Sequence, residues 1–345
     1  MAQNNYAQNE SLVIGGGSNC AISNSIANGT CSCAMGAYSI ANGFVATACG
    51  AYSTAIGRNA TALCSSLAFG GFTSASGCYS VALGGDFSGG HNTSGNQSSI
   101  LGGTLNVASG ACSVVGGGKS NCVTNGWSSV LGGCKNTASG IFSSVVGGCG
   151  NTAVGYGSSV GGGVGNCSVG IYSTVNGGVN FANGNYLIIG GGANNSASST
   201  YSAILGGGQN IASCDFASVL GGKLNKAVGQ YSSIVGGLSN CANLNGSSVG
   251  GGRTNRITGS SCYSTIGGGS GNLVNAGPFS SILGGSGNSI NIANSNARSI
   301  TIAGGENNIV TSTGSSNYYA FIGGGFNNYN LWRCKICKYN WGRLL

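Results

Sequence analysis

The stretch 132–148, GGCKNTASGIFSSVVGG, contains the unit from which most of the chain is built. It reads as a glycine pair, two variable residues, an Asn, an Ala-x-Gly, an aromatic residue, a Ser pair, two β-branched residues and a second glycine pair. The same order recurs in 147–161, 206–221 and 221–236. A period of about fifteen residues is near the shortest solenoid turns. The repeat therefore predicts a stack of β-coils, with function carried by a surface pattern.

Glycine and asparagine mark the corners of the predicted coil. Glycine permits a positive φ and the close approach of stacked turns. A corner Asn is expected to bond to neighbouring backbone or to the Asn of the next coil. The repeat positions on which this prediction rests are Gly132, Asn136, Ala138, Gly140, Gly147, Asn151, Gly221, Asn225 and Gly236.

A shorter rhythm occupies 27–84, where Ala-x-Gly returns mostly every seven residues. Two such halves predict a coil of fourteen residues. The fold class is therefore all-β, a parallel β-roll or β-solenoid with coils of about 14–16 residues. The predicted segments are a cap or flexible end (1–11), a β-roll with 7/14-residue repeats (12–84), a β-roll with about 15-residue repeats (85–326) and an atypical tail (327–345).

Composition supports an ordered repeat. The chain has 345 residues, with 70 Gly, one Pro and a charged fraction of 5%, against about a quarter charged in an average domain. Apolar residues return at fixed places beside the glycines, which a disordered linker does not require. The scarcity of proline and the lack of a three-residue glycine period exclude collagen.

Positive charge is concentrated at the C-terminal end. The formal net charge is +8, and Arg333, Lys335, Lys338 and Arg343 lie in the last thirteen residues. The remaining charge is expected to be too dilute for a phosphate-binding stripe, so no nucleic-acid partner is predicted. The aromatics at one repeat position are expected to form packing or surface ladders: Phe142, Tyr172, Tyr201, Phe216 and Tyr231.

Two apolar residues precede most glycine pairs, and they carry the quaternary prediction. Adjacent strand residues point to opposite faces, so one ladder is expected to line the interior and the other to form an apolar stripe outside. Such a stripe needs covering, which predicts an interface between identical chains. The sequence leaves open which ladder is inside: Val114, Val130, Val145, Ile204, Val219 and Ile234, or Val115, Leu131, Val146, Leu205, Leu220 and Val235.

Sixteen cysteines leave three alternatives open: free thiols in small positions, disulfides, or metal binding. Cys20, Cys122, Cys167 and Cys241 follow the corner Asn, whereas Cys134 and Cys149 should stack one coil apart, within disulfide range. Cys334-x-x-Cys337 is a single CxxC motif, which supplies two ligands, whereas a structural zinc site needs four. No metal or cofactor is predicted.

Catalytic chemistry is not expected. The single His91 lies in a predicted turn and is expected to be solvated, and four acidic residues cannot supply acid–base pairs at several sites. No apolar run reaches the length of a membrane span, and the first residues do not resemble a secretory signal, so no direct membrane insertion is expected. The acidic residues are Glu10, Asp86, Asp215 and Glu306.

The repeats resemble the heads of trimeric autotransporter adhesins of the YadA type. AYSIANG (37–43) and AYSTAIG (51–57) are similar to their short repeats, and GGKLNKAVGQYSSIVGG (221–237) to their longer unit. The resemblance covers roughly 12–326 and implies a left-handed parallel β-roll, a homotrimer and adhesion to host surfaces. The cysteine content departs from such heads, and no signal peptide, coiled-coil stalk or membrane anchor is visible. A phage or large-virus fibre therefore stays open as the carrier.

Three functions follow as hypotheses. The first is an adhesin or fibre head that binds a host receptor, glycan or extracellular matrix at a cell or virion surface. The second is a structural shaft or spacer without receptor binding. The third, more remote, is an ice-binding solenoid, which needs a regular Thr ladder that the mixed Ser, Thr, Asn, Lys and Arg positions do not provide.

Overall fold

The computed structural model describes residues 4–85, 89–292, 299–312, 319–332 and 339–340. The chain forms two compact units, Met1–Tyr172 and Ser173–Leu345. In the described residues, the regular secondary structure is β, and the paired strands run parallel. The predicted all-β parallel solenoid is confirmed. No helix in this part of the chain is long and apolar enough to span a membrane.

Strands of the first unit alternate between two parallel sheets, which we call the odd sheet and the even sheet after the strand numbers. The odd sheet contains β1 Tyr6–Ala7, β3 Cys20–Ala21, β5 Cys33–Ala34, β7 Thr47–Ala48, β9 Thr61–Ala62, β11 Ser74–Ala75, β13 Asn92–Thr93, β15 Val107–Ala108, β17 Cys122–Val123, β19 Thr137–Ala138, β21 Thr152–Ala153 and β23 Cys167–Ser168. The even sheet contains β2 Leu12–Ile14, β4 Ile26–Thr30, β6 Ile40–Phe44, β8 Thr54–Ile56, β10 Leu67–Phe69, β12 Val81–Leu83, β14 Ser99–Ile100, β16 Val114–Val115, β18 Ser129–Val130, β20 Ser144–Val145 and β22 Ser159–Val160.

The second unit repeats this arrangement. Its odd sheet contains β25 Phe181–Ala182, β27 Ser196–Ala197, β29 Ile211–Ala212, β31 Lys226–Ala227, β33 Cys241–Ala242, β35 Arg256–Ser260, β37 Leu273–Ala276, β39 Ser289–Ile292, β41 Ile309–Ser312 and β43 Tyr329–Trp332. Its even sheet contains β24 Thr174–Val175, β26 Ile188–Ile189, β28 Ala203–Ile204, β30 Ser218–Val219, β32 Ser233–Ile234, β34 Ser248–Val249, β36 Thr265–Ile266, β38 Ser281–Ile282, β40 Ile300–Ile302, β42 Ala320–Ile322 and β44 Tyr339–Asn340.

A third parallel ladder of single bridges accompanies the longer coils. In the first unit it begins at Thr104 and continues through Lys119, Cys134 and Cys149 to Val164. In the second unit it includes the bridges from Lys223 to Leu238 and from Leu238 to Arg253. The extra residue of the 15-residue coil therefore gives that coil a third paired edge.

Buried asparagines hold the corner before each odd strand of the longer coils. Asn136 N–H donates to Asn121 Oδ1 (3.0 Å), and Asn136 Oδ1 accepts from Asn151 N–H (3.0 Å). The Asn136 amide Nδ2 donates to the carbonyl of Gly132 in its own coil (2.9 Å) and to that of Gly148 in the next (3.0 Å). The predicted asparagine ladder is confirmed, and it satisfies backbone groups that burial would otherwise leave unpaired.

The second glycine of the pair, rather than the first, is constrained. Gly133 has φ = 87°, and a Cβ built on it would overlap the carbonyl oxygen of Gly148 and lie 2.6 Å from Asn136 Nδ2. A Cβ built on Gly132 meets nothing within 4 Å. The same contrast holds between Gly147 and Gly148. The glycines predicted to be required at this corner, Gly132, Gly147, Gly221 and Gly236, therefore each lie one residue before the glycine that is confined. Gly140, which was also predicted, is confined by the backbone of Gly155.

In most coils, each sheet contributes one buried apolar side chain to the core. In the short coils both sheets contribute Ala, as in the buried pair Ala75 and Ala82. From Ile100 onward the even sheet contributes Ile or Val opposite mostly Ala, as with Val145 opposite Ala138. This change coincides with the start of the third ladder, because a wider coil needs larger side chains to reach native packing density.

Both ends of the chain extend the sheets further than the segment prediction. Within the expected cap 1–11, β1 pairs in register with β3. Within the expected tail 327–345, β43 pairs with β41, and β44 pairs with β42. Arg333, Cys334, Lys335, Cys337, Lys338 and Arg343 lie outside the described residues.

The contrast between the two glycines gives a matched test. Gly133→Ala should lower the free energy of unfolding by about 1–2 kcal/mol from the left-handed backbone alone, and by more because of the overlap with Gly148. Gly132→Ala, one residue earlier, should change it by less than about 0.5 kcal/mol. Thermal unfolding of the two variants measures the difference, and equal losses would contradict the assignment.

Candidate functional site on the outward faces

The outward face of the even sheet carries the residue that follows each buried one. Val130 and Val145 are fully buried, whereas Leu131 and Val146 are 57% and 53% exposed. At Val114 and Val115 the order is reversed: Val115 is buried and Gly116 takes the outward place. The outward column reads Leu101, Gly116, Leu131, Val146 and Gly161 in the first unit, and Asn176, Gly190, Leu205, Leu220, Val235, Gly250, Gly267 and Leu283 in the second.

This arrangement corrects the two predicted ladders, because neither is wholly inside. Val130, Val145, Ile204, Val219 and Ile234 are buried together with Val115. In Gly116–Gly118 three glycines follow the strand, and the strained glycine is the third, Gly118, with φ = 87°, whereas in Gly206–Gly208 it is the second, Gly207. The buried residue of this coil, Val115, therefore lies one position before the first glycine of Gly116–Gly118, whereas the buried Val130 lies two positions before Gly132. The outer stripe is consequently interrupted by glycines instead of continuous.

Apolar exposure on the even sheet is densest in the short coils. There large apolar residues flank the inward residue, as Leu12 and Ile14 flank Val13 and as Leu67 and Phe69 flank Ala68; Leu12, Ile14 and Phe69 are each about half exposed. In the longer coils, the column before the buried residue is mostly Ser or Thr and is half-buried, as at Ser129 and Ser144. The even-sheet face thus combines a hydroxyl column with an apolar column.

Aromatic side chains form a second exposed ladder at the turn before the even strands. Tyr186, Tyr201, Phe216 and Tyr231 are stacked, with ring centroids 5.3, 5.1 and 4.9 Å apart and nearly parallel planes. Their faces contact each other, so the ring edges face solvent. The predicted aromatic ladder is confirmed as a surface ladder. These residues have φ near +55°, a strained conformation for side chains of this size.

A glycine interrupts this ladder in the first unit and changes the ring geometry. Gly157 takes the turn position, and Tyr156, one residue earlier, packs edge-on against Phe142 and Tyr172 at 5.4 and 5.6 Å. The interplanar angles are 74° and 83°. The Tyr156 ring is therefore turned across the ladder and breaks the run of parallel stacked rings.

His91 contradicts its prediction. It is 2% exposed rather than solvated, and it occupies the corner position of the asparagine ladder. Its Nδ1 accepts from Asn106 N–H (3.2 Å), as an asparagine Oδ1 does in the next coils. The imidazole takes the place of the ladder asparagine in the coil between the short and the longer coils. In the odd strand of the same coil, Thr93 takes the place of the buried alanine.

The cysteines among the described residues comprise one disulfide and a set of free thiols. Cys64 and Cys78 form a disulfide between neighbouring coils, with Cα atoms 4.7 Å apart. Cys134 and Cys149 stack in register, as predicted, and both are free. The described residues contain no cluster of three or more His, Cys, Asp or Glu side chains placed to hold a metal ion. Cys20, Cys122, Cys167 and Cys241 are half-buried free thiols on the odd sheet.

Positive charge in the second unit is more clustered than the sequence predicted. Lys223 and Lys226 in KLNK, and Arg253 and Arg256 in RTNR, lie on two coils separated by a single intervening coil. The sequence signal was present as the same basic-x-Asn-basic pattern thirty residues apart. The expectation of evenly dilute charge is wrong at this place.

Comparison of the chain with protein-family models finds no match, and comparison with curated protein sequences finds none either. The adhesin resemblance therefore rests on the repeat residues themselves.

Thiol reactivity tests the environment of Cys33. Burial raises its pKa from 9.0 to about 11, and the stacked Cys20 and nearby Cys49 add to the shift. Because the thiolate is the nucleophile, Cys33 at pH 8 should have a thiolate population about a hundred-fold smaller than a thiol of pKa 9.0. Iodoacetamide labelling followed by mass spectrometry should show exposed Cys31 modified well before Cys33. In urea the two should react alike, and equal rates in the folded chain would contradict the assignment.

Proposed function

We propose that this chain is the head of a surface fibre or adhesin that assembles side by side with identical copies. The copies associate through the even-sheet face, in threes as the repeat resemblance implies. The assembly attaches to a receptor, glycan or matrix on a host surface and is carried on a cell or a virion. The observation that supports this proposal best is that the even-sheet face of each unit exposes apolar residues: Leu12, Leu131 and Val146 in the first unit, and Leu205 and Leu283 in the second.

The energetic argument is one of accumulated small terms. Burying a Leu or Val side chain that was exposed contributes about 1.5–3 kcal/mol. Each coil that carries Leu or Val in this column adds such a contribution, whereas soluble monomers rarely expose large contiguous apolar patches. Closed symmetric association covers the same patch on each copy. Because Gly116, Gly161, Gly190, Gly250 and Gly267 interrupt the Leu and Val residues of the column at unequal intervals, packing of one copy against another restricts the axial register.

Attachment would use the residues that remain outside such an assembly. The chain repeats its outward side chains coil after coil, so weak contacts add by avidity when the ligand is itself repetitive. The exposed aromatic edges and hydroxyl groups of the repeat suit polar ligands such as glycans or protein strands. No deep, enclosed active centre is required for this function.

The uniformity of the coils favours a second candidate, a structural shaft or spacer. Coils such as 132–146 and 147–161 differ little in their buried residues and corner bonds. A shaft needs only such repetition, and it needs no particular coil.

Oligomeric state tests the assembly. The full chain should run in light scattering near three times its 33.5 kDa mass. The double variant Leu131→Lys/Val146→Lys should weaken assembly, because two exposed apolar residues on the even sheet become charged. Thr137→Lys/Thr152→Lys, on the odd sheet of the same coils, is the matched control and should assemble normally. A monomeric wild-type chain would contradict the proposal.

Removal of whole coils separates head from shaft. Deleting 133–147 removes one coil and joins Gly132 to Gly148 in register. Both functions predict a folded product, because each coil contacts only its neighbours. A head should lose cell-surface binding when certain coils are removed, as measured by binding of labelled protein to host cells. Unchanged binding for every single-coil deletion would favour the shaft.

A further inference from the structure

The four clustered cations of the second unit lie in two columns. On the odd sheet, Lys226 pairs with Cys241, and Cys241 pairs with Arg256. In the third ladder, Lys223 pairs with Leu238, and Leu238 with Arg253. Parallel strands are about 4.8 Å apart, so the two cations of each column are separated by about 10 Å along the coil axis. Within each coil, one exposed turn residue and one buried asparagine lie between the two cations, namely Leu224 and Asn225 in the first coil and Thr254 and Asn255 in the second.

An open groove runs between these columns. It is lined by Leu224, Lys226, Ser239, Asn240, Cys241, Thr254 and Arg256. Lys226 and Arg256 lie at its two ends, with Cys241 between them. Burial raises the pKa of the Cys241 thiol, and the charges of Arg256 and Lys226 oppose that rise. Both cations therefore act electrostatically on the same point of the groove.

The charge of this region is not neutralised from within. The described residues contain seven Lys and Arg, and four of them form this cluster. Asp215, in the coil before Lys223, lies at the turn before the even strand, where its Oδ1 accepts from Ser199 Oγ and Thr200 N–H; along the third ladder the nearest acidic residue is Glu306, three coils beyond Arg253. None of the four cations forms an ion pair with a described residue. Like charges placed close together destabilise a sheet, so their clustering in a chain otherwise poor in charge points to an anionic ligand.

We propose that the groove between Lys226 and Arg256, flanked by Lys223 and Arg253, binds a sulfated polysaccharide. Sulfate groups spaced along an extended sugar chain match two pairs of cations separated by one intervening coil. The Ser239 and Thr254 hydroxyls of the lining suit the sugar hydroxyls. The groove lining contains no aromatic side chain on which nucleic-acid bases could stack. This inference rests on the proposed attachment function and names its ligand class.

The test compares two double variants of the full chain that lose the same charge. Lys226→Gln/Arg256→Gln removes the ends of the groove, and Lys119→Gln/Lys135→Gln removes two cations from the first unit. Binding to immobilised heparin, as a sulfated probe, is measured by surface plasmon resonance over a series of NaCl concentrations. The groove variant should bind on the order of ten-fold or more weakly, with a shallower salt dependence. The control should stay within about two-fold of wild type.

A charge-conserving variant, a folding check and competing ligands serve as controls for the binding experiment. Lys226→Arg/Arg256→Lys keeps both charges and should retain binding, and circular dichroism checks that each variant is folded. Desulfated heparin should bind weakly. Absence of heparin binding by the wild-type chain, equal losses in both Gln variants, or equal competition by duplex DNA at matched charge would overturn the inference.

Light scattering of the same samples separates this inference from the assembly proposal. A groove variant that keeps the wild-type mass but loses heparin binding supports the inference. A monomeric wild-type chain that still binds heparin through the groove would overturn the assembly and leave the anion site standing.

Discussion

The buried asparagine ladder is the interaction on which the longer coils depend. Each side-chain amide bonds within its own coil and to the next one: Asn136 Nδ2 donates to the carbonyls of Gly132 and Gly148, and Asn136 Oδ1 accepts from the backbone N–H of Asn151. A buried amide without partners would destabilise the fold, whereas a fully bonded one aligns successive coils. His91 shows the strength of this requirement, because at the junction between coil types its imidazole supplies the equivalent acceptor.

This corner explains why glycine is confined to certain positions. The carbonyl groups that receive the asparagine amide belong to backbone packed so closely that Gly133 cannot carry a Cβ. The core needs only one Ile or Val and mostly one Ala per coil. Most remaining side chains therefore point outward and are free to vary. A solenoid of this kind separates the residues that hold it together from those that are available to contact a partner.

The outward residues give the chain different chemistry on different faces. The even sheet presents apolar residues and hydroxyls, the turn before it presents stacked aromatic rings, and the opposite corner of the second unit presents Lys223, Lys226, Arg253 and Arg256. Association between copies and binding of an anionic polysaccharide would therefore use separate surfaces. One repeating backbone can carry both because neighbouring coils place equivalent residues about 4.8 Å apart.

The sequence by itself determined the parallel β-solenoid, the two coil lengths, the asparagine ladder and the aromatic ladder. These follow from local periodicity, because each coil repeats the contacts of the one before it. Tertiary structure alone decided that Val115 is buried while Leu131 is exposed, because the strained glycine is the third of its run at Gly118 and the second at Gly133. It also decided the burial of His91, whereas the closeness of the two basic pairs follows from a sequence spacing of thirty residues, which is two coils. The burial of these residues depends on the register between neighbouring coils, because the register decides which residues stack in one column.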